Sequence, residues 1–375
     1  MKILFTGGGT GGHFYPIIAI AEALNEIARE EKLLEATLYF MSNAPYNERA
    51  LLDNQITFVQ SPAGKIRRYF SLLNFFDLFK TAFGVLKATI IIFKIFPDVI
   101  FGKGGYTSFP ALFAARLLGI PVMLHESDSS PGRVNKWAGK FAKRVAVSYP
   151  EAGVFFASEK VAYTGNPVRA EILTPTTAGI YEYWQFAPTL PVIMVLGGSQ
   201  GATAINDVIL DALPDLVANY QIIHQTGKEK FEEVKSTAES ILKGNAYKNR
   251  YKPLPYVNDL AMRMGAGAAK LIISRAGSTI FEIAAWGIPS IIVPIPESIS
   301  HDQKSNAFAY AKSGGALIIE EANFSPHLLV SEVNRLFANP GILKNMAIGA
   351  KAFARPDAAD KIARELIRIG LSHEK

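Results

Sequence analysis

The residues with chemistry to offer begin at position 7. Gly7, Gly9 and Gly12 fit a G-x-G-x-x-G pattern, and His13 follows at once. A second glycine loop, Gly197-Gly198-Ser199-Gln200-Gly201, opens the second half of the chain. Glycines let backbone N–H groups approach a ligand closely, and a helix N-terminus adds unpaired donors and a positive dipole end. Both loops therefore suit a phosphate, with a tight turn that holds no ligand as the plain alternative for either one alone. The His13 imidazole could accept a hydroxyl proton near neutral pH; otherwise it is a polar residue opening a helix. Further on, Arg275-Ala276-Gly277-Ser278-Thr279 precedes a helix bearing Glu282. A carboxylate there can hold two ribose hydroxyls, or it simply complements the helix dipole.

Several chemistries are disfavoured. A nicotinamide site wants an acid at the end of the second strand, and that strand ends Met41-Ser42-Asn43. The second loop lacks the closing Gly-Lys-Ser/Thr of a Walker A loop. With no cysteine, thiolate metal sites, disulfides and cysteine nucleophiles are excluded. No Asp-x-Asp sequence occurs, so the charge of a leaving diphosphate would fall to helix dipoles and donors rather than to a divalent ion, and no metal or cofactor is expected.

These residues need elements to position them. A chain of 375 residues with 49% hydrophobic and 19% charged residues suits two globular domains. Short apolar strands are expected at Lys2 to Phe5, Ala36 to Met41, Asp98 to Phe101, Pro121 to Leu124, Val145 to Ser148 and Val161 to Tyr163. A second set is expected at Val192 to Leu196, Tyr220 to His224, Leu271 to Ser274, Ser290 to Pro294 and Ala316 to Ile319. Helical runs alternate with them, among them Ile17 to Ile27 after Pro16, and Ala202 to Leu213. This alternation predicts two similar α/β domains, each a parallel sheet covered on both faces. The boundary is expected at Gly165-Asn166-Pro167, giving 1–165 and 166–355, with the terminal helix after Pro356 returning to the first domain.

Together the motifs resemble the MurG family of cell-wall N-acetylglucosaminyltransferases. The resemblance rests on GGGTGGHFYP from Gly7, FGKGGYTSFP from Phe101, LHESDSSPGRVNKW from Leu124 and GNPVR from Gly165. It continues in LGGSQGA from Leu196, SRAGSTIFEIAAWGIP from Ser274 and HDQKSNA from His301, in the family's order. It implies the GT-B fold, two Rossmann-like doubly wound domains facing across a cleft. It implies an inverting transfer of GlcNAc from UDP-GlcNAc to the C4 hydroxyl of MurNAc in lipid I, an undecaprenyl-diphosphate lipid, on the cytoplasmic face of the membrane. By the same resemblance the second domain holds the donor, with Ser199 at the diphosphate, Glu282 at the ribose, Gln303 at the sugar, Val257 at the uracil, Arg169 nearby, and Ser278 and Thr279 among the donor-binding residues. The first domain holds the acceptor against Thr10, Gly11, Gly12 and His13, with Gly104, Gly105, Tyr106, Glu126 and Asn135 near it. His13 is the expected base and Glu126 the rival. This chain differs from the family at Asp128, where an amide is usual, and by a Gly277–Glu282 segment one residue shorter. It also differs at Lys103, expected either to face the lipid diphosphate or to be a solvated loop lysine.

The net charge of +6 and a pI of about 9.2 favour anionic partners, and no recognition module or dense basic run points to nucleic acid. After Lys2 only Ile3-Leu4-Phe5 are apolar before the glycines, too short for a signal peptide, and no transmembrane span is expected. Lys65 to Lys94 instead combines six Lys or Arg and one acid with clustered phenylalanines. Lys80, Lys87 and Lys94 share a helical face. This stretch is expected either to be a core helix with a lysine face or to meet anionic lipid, in keeping with a mean hydropathy of +0.16.

Overall fold

The structure is a computed structural model that describes residues 1–64, 73–198, 201–297 and 301–372. It divides into two compact units. Unit 1 is Met1–Ala170 with Arg355–Lys375, and unit 2 is Glu171–Ala354. The sequence reading put the break at Gly165; the GNPVR run instead stays with unit 1.

Unit 1 is built on seven strands: β1 (Lys2–Thr6), β2 (Thr37–Ser42), β3 (Ile56–Gln60), β4 (Val99–Gly102), β5 (Val122–Glu126), β6 (Arg144–Val147) and β7 (Val161–Tyr163). All pair parallel in the order β3-β2-β1-β4-β5-β6-β7. Unit 2 has β8 (Val192–Leu196), β9 (Gln221–Gln225), β10 (Tyr251–Leu254), β11 (Ala269–Ser274), β12 (Ser290–Ile292) and β13 (Ala316–Ile318). Their order is β10-β9-β8-β11-β12-β13, again all parallel. In each sheet the first strand lies inside, and the winding reverses beside it. Such a switch point opens a crevice beyond the strand C-termini, where α/β ligands bind.

Two strands escape the sequence reading, and both lie at sheet edges. β3 is only half-buried, and β10 contains Pro253, which an edge strand tolerates because one side needs no donor. Helix bounds also differ. The first helix runs Gly11–Glu30, so it starts inside the glycine run and carries Pro16 within it. His13 thus lies in its first turn. The helix after the second loop runs Thr203–Asn219, through Pro214.

The core of unit 1 joins its two chain segments. Ile362, Leu366 and Ile369 of helix Ala358–Leu371 are buried with Ile17, Ile20 and Leu24 of the Gly11 helix. Gly370 fits beside Met1 and Asp98, where a Cβ would approach Met1 Sδ to 2.5 Å. The returning helix is therefore part of the wall that sets the Gly11 helix on the sheet. Truncating Leu366, fully buried there, leaves a cavity. Leu366→Ala is expected to cost about 2–5 kcal/mol in chemical denaturation of unit 1; a cost well under about 1 kcal/mol would mean that the helix contributes little to that core.

Candidate active site

At the switch point of unit 1, the turns after β1 and β4 lie side by side. The Gly7 turn needs room: Gly8 and Gly9 have φ of +134° and +92°, and a Cβ on Gly8 would reach Ser42 Oγ at 2.7 Å. The Gly104-Gly105 turn has φ of +91° and +81°. A Cβ on Gly104 would press on Asn135 Nδ2 at 2.8 Å, and one on Gly105 would touch the His13 ring at 3.9 Å. Glycine here brings Asn135 and His13 to the same small volume.

His13 is held from its own turn. Its Nδ1 lies 3.2 Å from Thr10 Oγ1, while the Thr10 carbonyl accepts from the backbone N–H groups of His13 and Phe14. The residue as a whole is half-buried. Desolvation first, then the Lys103 ammonium, lowers its pKa to about 4, and the Asp128 carboxylate opposes them. The imidazole is therefore neutral near pH 7. In the tautomer whose Nδ1–H donates to Thr10 Oγ1, Nε2 carries the lone pair. Gly11 and Gly12, the first residues of a 20-residue helix, have N–H groups with no acceptor in the preceding turn.

Glu126 ends β5 and is buried. Its Oε1 accepts from Asp128 N at 3.0 Å, and its Oε2 from Gly132 N at 3.1 Å and Asn135 Nδ2 at 2.9 Å. Desolvation, then the Asp128 charge, raises its pKa to about 7, although those donors and Lys103 pull the other way. Three donors thus tie it to the Glu126–Gly132 loop and to Asn135. Asn135 also donates to the His125 carbonyl at 3.1 Å.

Lys103 is 1% exposed, and its Nζ has no hydrogen-bond partner. The solvated loop lysine is thereby ruled out. Desolvation lowers its pKa to about 8, against the attraction of Glu126 and Asp128. Asn135 Oδ1 and His125 Nδ1 are likewise buried without partners. Buried polar groups are ordinarily paired, so such a cluster calls for water or a ligand.

His125 was passed over as a site residue although it lies inside the quoted LHESDSSPGR run. Its Nε2 donates to the Gly165 carbonyl at 3.0 Å and lies 3.3 Å from Ser148 Oγ. Desolvation and then Lys103 hold its pKa well below the usual value. It ties β5 and β6 to the chain leaving β7. Adjacency to Glu126 was the available signal. Tyr106 opens the short turn Tyr106–Ser108, and a Cβ on Gly9 would meet its ring at 3.9 Å. Arg169 belongs to unit 1, with its guanidinium 4.4 Å over the Tyr15 ring.

Unit 2 carries the other candidates. Gly197 donates to Gln225 O at 3.3 Å and Gly201 to Gly198 O at 3.1 Å. Ser199, between them, lies outside the described residues. Ser278 and Thr279 open helix Thr279–Trp286, with Glu282 half-buried in its first turn. Arg275, just before, is anchored by Glu321 at 2.5 Å and by the Val293 carbonyl at 3.1 Å. These follow β11, the switch-point neighbour of β8, so Glu282 and the Gly197 turn border one crevice. Val257 is buried immediately before the helix capped by Asn258. Gln303, in helix His301–Ala311, accepts from Ile295 N at 3.4 Å.

Comparison with known proteins agrees with this layout. The N-terminal domain of glycosyltransferase family 28 matches residues 3–147, and its C-terminal domain matches residues 192–362. A Treponema denticola protein is 36% identical over 96% of both chains. It is named a UDP-N-acetylglucosamine–N-acetylmuramyl-(pentapeptide) pyrophosphoryl-undecaprenol N-acetylglucosamine transferase. The chain belongs to the MurG family of glycosyltransferases. A Clostridium novyi relative of the same name is 36% identical over 92% of this chain and 93% of its own. The crystal structure of Acinetobacter baumannii MurG superposes with a TM-score of 0.72 at 26% identity, covering 98% of this chain and 99% of its own. The fold is GT-B, two parallel-sheet domains with helices. It is shared more widely: a UDP-GlcNAc 2-epimerase from Neisseria meningitidis reaches a TM-score of 0.69 at 15% identity, over 98% of this chain and 100% of its own.

The charge coupling can be measured directly. Removing a nearby cation makes protonation of His13 easier, so Lys103→Met should move its pKa up from about 4 toward the ordinary value of 6.5. NMR titration of the histidine ring protons reads this. A His13 pKa that stays where it was would uncouple the two groups.

Proposed function

We propose that this chain transfers GlcNAc from UDP-GlcNAc to the C4 hydroxyl of MurNAc in undecaprenyl-diphosphate-linked MurNAc-peptide, lipid I, and so makes lipid II for peptidoglycan. Full-length similarity to transferases named for that reaction supports the substrates, and the His13 geometry carries the mechanism. The C4 oxygen attacks the anomeric carbon from the face opposite UDP. The new C–O bond forms as the bond to phosphate breaks, UDP leaves with the electron pair, and the α donor becomes a β1,4 linkage. His13 Nε2 takes the hydroxyl proton. Glu126, with both oxygens occupied by donors, holds the loop instead. Anionic phosphates beside His13 would raise its pKa and strengthen it as a base. Asp128 adds to this by charge, in place of the hydrogen bond an amide would donate.

In this reading unit 1 takes the acceptor. The amides of Gly11 and Gly12, the Gly104-Gly105 turn and the buried charge of Lys103 supply the positive potential for its diphosphate, with Tyr106 and Asn135 alongside. Unit 2 takes the donor, with Ser199 and the Gly197 turn at the diphosphate, Glu282 at the ribose beside Ser278 and Thr279, Val257 at the uracil and Gln303 at the sugar. Arg169, on unit 1, would reach the nucleotide from that side.

The lipid acceptor gives a role to helix Leu73–Ile95. Gly84 and Gly64 let it lie closely on its neighbours: a Cβ on either would overlap the backbone of Pro62 or Asp77. Ala88 and Ile92 are buried, yet Phe76, Phe79, Phe83, Leu86, Ile90 and Phe93 are exposed in one stripe spaced three and four residues apart. Lys80, Lys87 and Lys94 flank that stripe. The core-helix alternative accounts for only one face. Among the described residues no helix is long and apolar enough to cross a membrane. The exposed face is suited to lie in the anionic cytoplasmic surface of the membrane as a peripheral contact. Lys65, Tyr69 and Phe70, from the same stretch, lie outside the described residues.

Two experiments check this reading. His13→Ala should lower transfer to lipid I by about 10²–10⁴ in kcat while leaving UDP-GlcNAc affinity unchanged. A parallel fall in donor affinity would place the histidine with the donor, and acceptor-independent 2-epimerisation by the wild type would replace the transferase reading. Substituting Phe75, Phe76 and Lys80 together by alanine should weaken binding to anionic liposomes; unaltered sedimentation with the vesicles would remove the helix from the membrane.

A further inference from the structure

Three buried polar side chains of unit 2 that the mechanism leaves unused form one chain. Tyr251 on β10, His224 on β9 and Asn206 on helix Thr203–Asn219 are all buried. Asn206 Nδ2 lies 3.0 Å from the Thr226 carbonyl oxygen, which can only accept. That fixes the amide, so Oδ1 faces His224 Nε2 at 3.1 Å. Nε2 therefore carries the proton, and Nδ1 accepts from the Tyr251 hydroxyl at 2.8 Å. One neutral tautomer satisfies every member. Burial holds the His224 pKa at about 3 and pushes that of Tyr251 well up, so neither ionises near neutral pH.

The chain ends at the second glycine turn. Gly201, at φ +79°, packs on the Thr226 carbonyl that Asn206 holds, and a Cβ there would overlap it. Gly197 donates to the adjacent Gln225 carbonyl. Gly197 and Gly201 thus rest on Gln225 and Thr226, and Asn206 pins that strand end to the start of the helix after Gly201.

We propose that the Tyr251–His224–Asn206 chain positions Gly197, Gly201 and the N-terminus of the helix that follows them to receive the diphosphate of a nucleotide. None of the three side chains touches the ligand; they act by fixing the amides that do. The inference rests on the assignment of the donor to unit 2, and the test separates the two. UDP affinity is measured by titration calorimetry on the full chain, with donor and acceptor KM from turnover. Asn206→Asp keeps the shape but puts an oxygen against the Thr226 carbonyl. His224→Leu cuts the chain, and His224→Gln restores a donor near Nε2. Asn206→Asp and His224→Leu should raise the UDP Kd and the donor KM by about tenfold or more, with acceptor KM unchanged and His224→Gln close to wild type. Folded Asn206→Asp protein that binds UDP as wild type does, while Glu282→Ala loses binding, overturns this inference alone. A wild-type chain that binds no UDP overturns the donor assignment and this inference with it.

Discussion

Each sheet pairs all its strands in one direction, and parallel pairing forces every connection to cross back over the sheet. Strand C-termini, the turns after them and the N-termini of the following helices therefore gather at one edge of each unit. Because β1 and β8 lie inside their sheets, the turns they feed stand beside those after β4 and β11. The glycines answer this crowding, since Gly8, Gly104 and Gly201 occupy places where a side chain would collide with a neighbour. Loops of such composition would have no reason to meet without that strand order.

The two switch points are electrically different. In unit 1 the floor is charged: Lys103 and Asp128 act on the protonation of His13 and Glu126, Lys103 also on that of His125, and several buried atoms have no partner among the described residues. That arrangement suits proton transfer and an incoming anion. In unit 2 the floor under the turn is a neutral, fully satisfied chain from Tyr251 to Thr226, which suits fixed placement of backbone donors. Two loops of similar sequence thus sit on different foundations, as the different jobs proposed for them require.

The alternation of short apolar strands with helices was legible in the sequence because parallel strands are buried on both faces and read as unbroken apolar runs. β3 and β10 were not, because edge strands are half-exposed and one accepts a proline. The first helix starts at Gly11 and is expected only from Ile17, since glycine and proline count against helix locally although the first turn of a helix needs few donors. Gly7, His13 and Glu282 stood out by type and spacing, whereas Glu126 came only with the family resemblance. The burial of Lys103 did not: a lysine among glycines reads as solvent-facing, and only the packing of β4 against β1 and β5 withdraws it from water. The relay from Tyr251 was hidden for a similar reason, its members lying far apart in sequence and meeting only through the order β10-β9-β8.

The most direct measurement is a structure of the full chain with UDP-GlcNAc bound. The account predicts the diphosphate at the Gly197–Gly201 turn, the ribose hydroxyls on Glu282, and the Gly7–Thr10 turn left for the acceptor. Nucleotide density on the Gly7–Thr10 turn, beside His13, would contradict it.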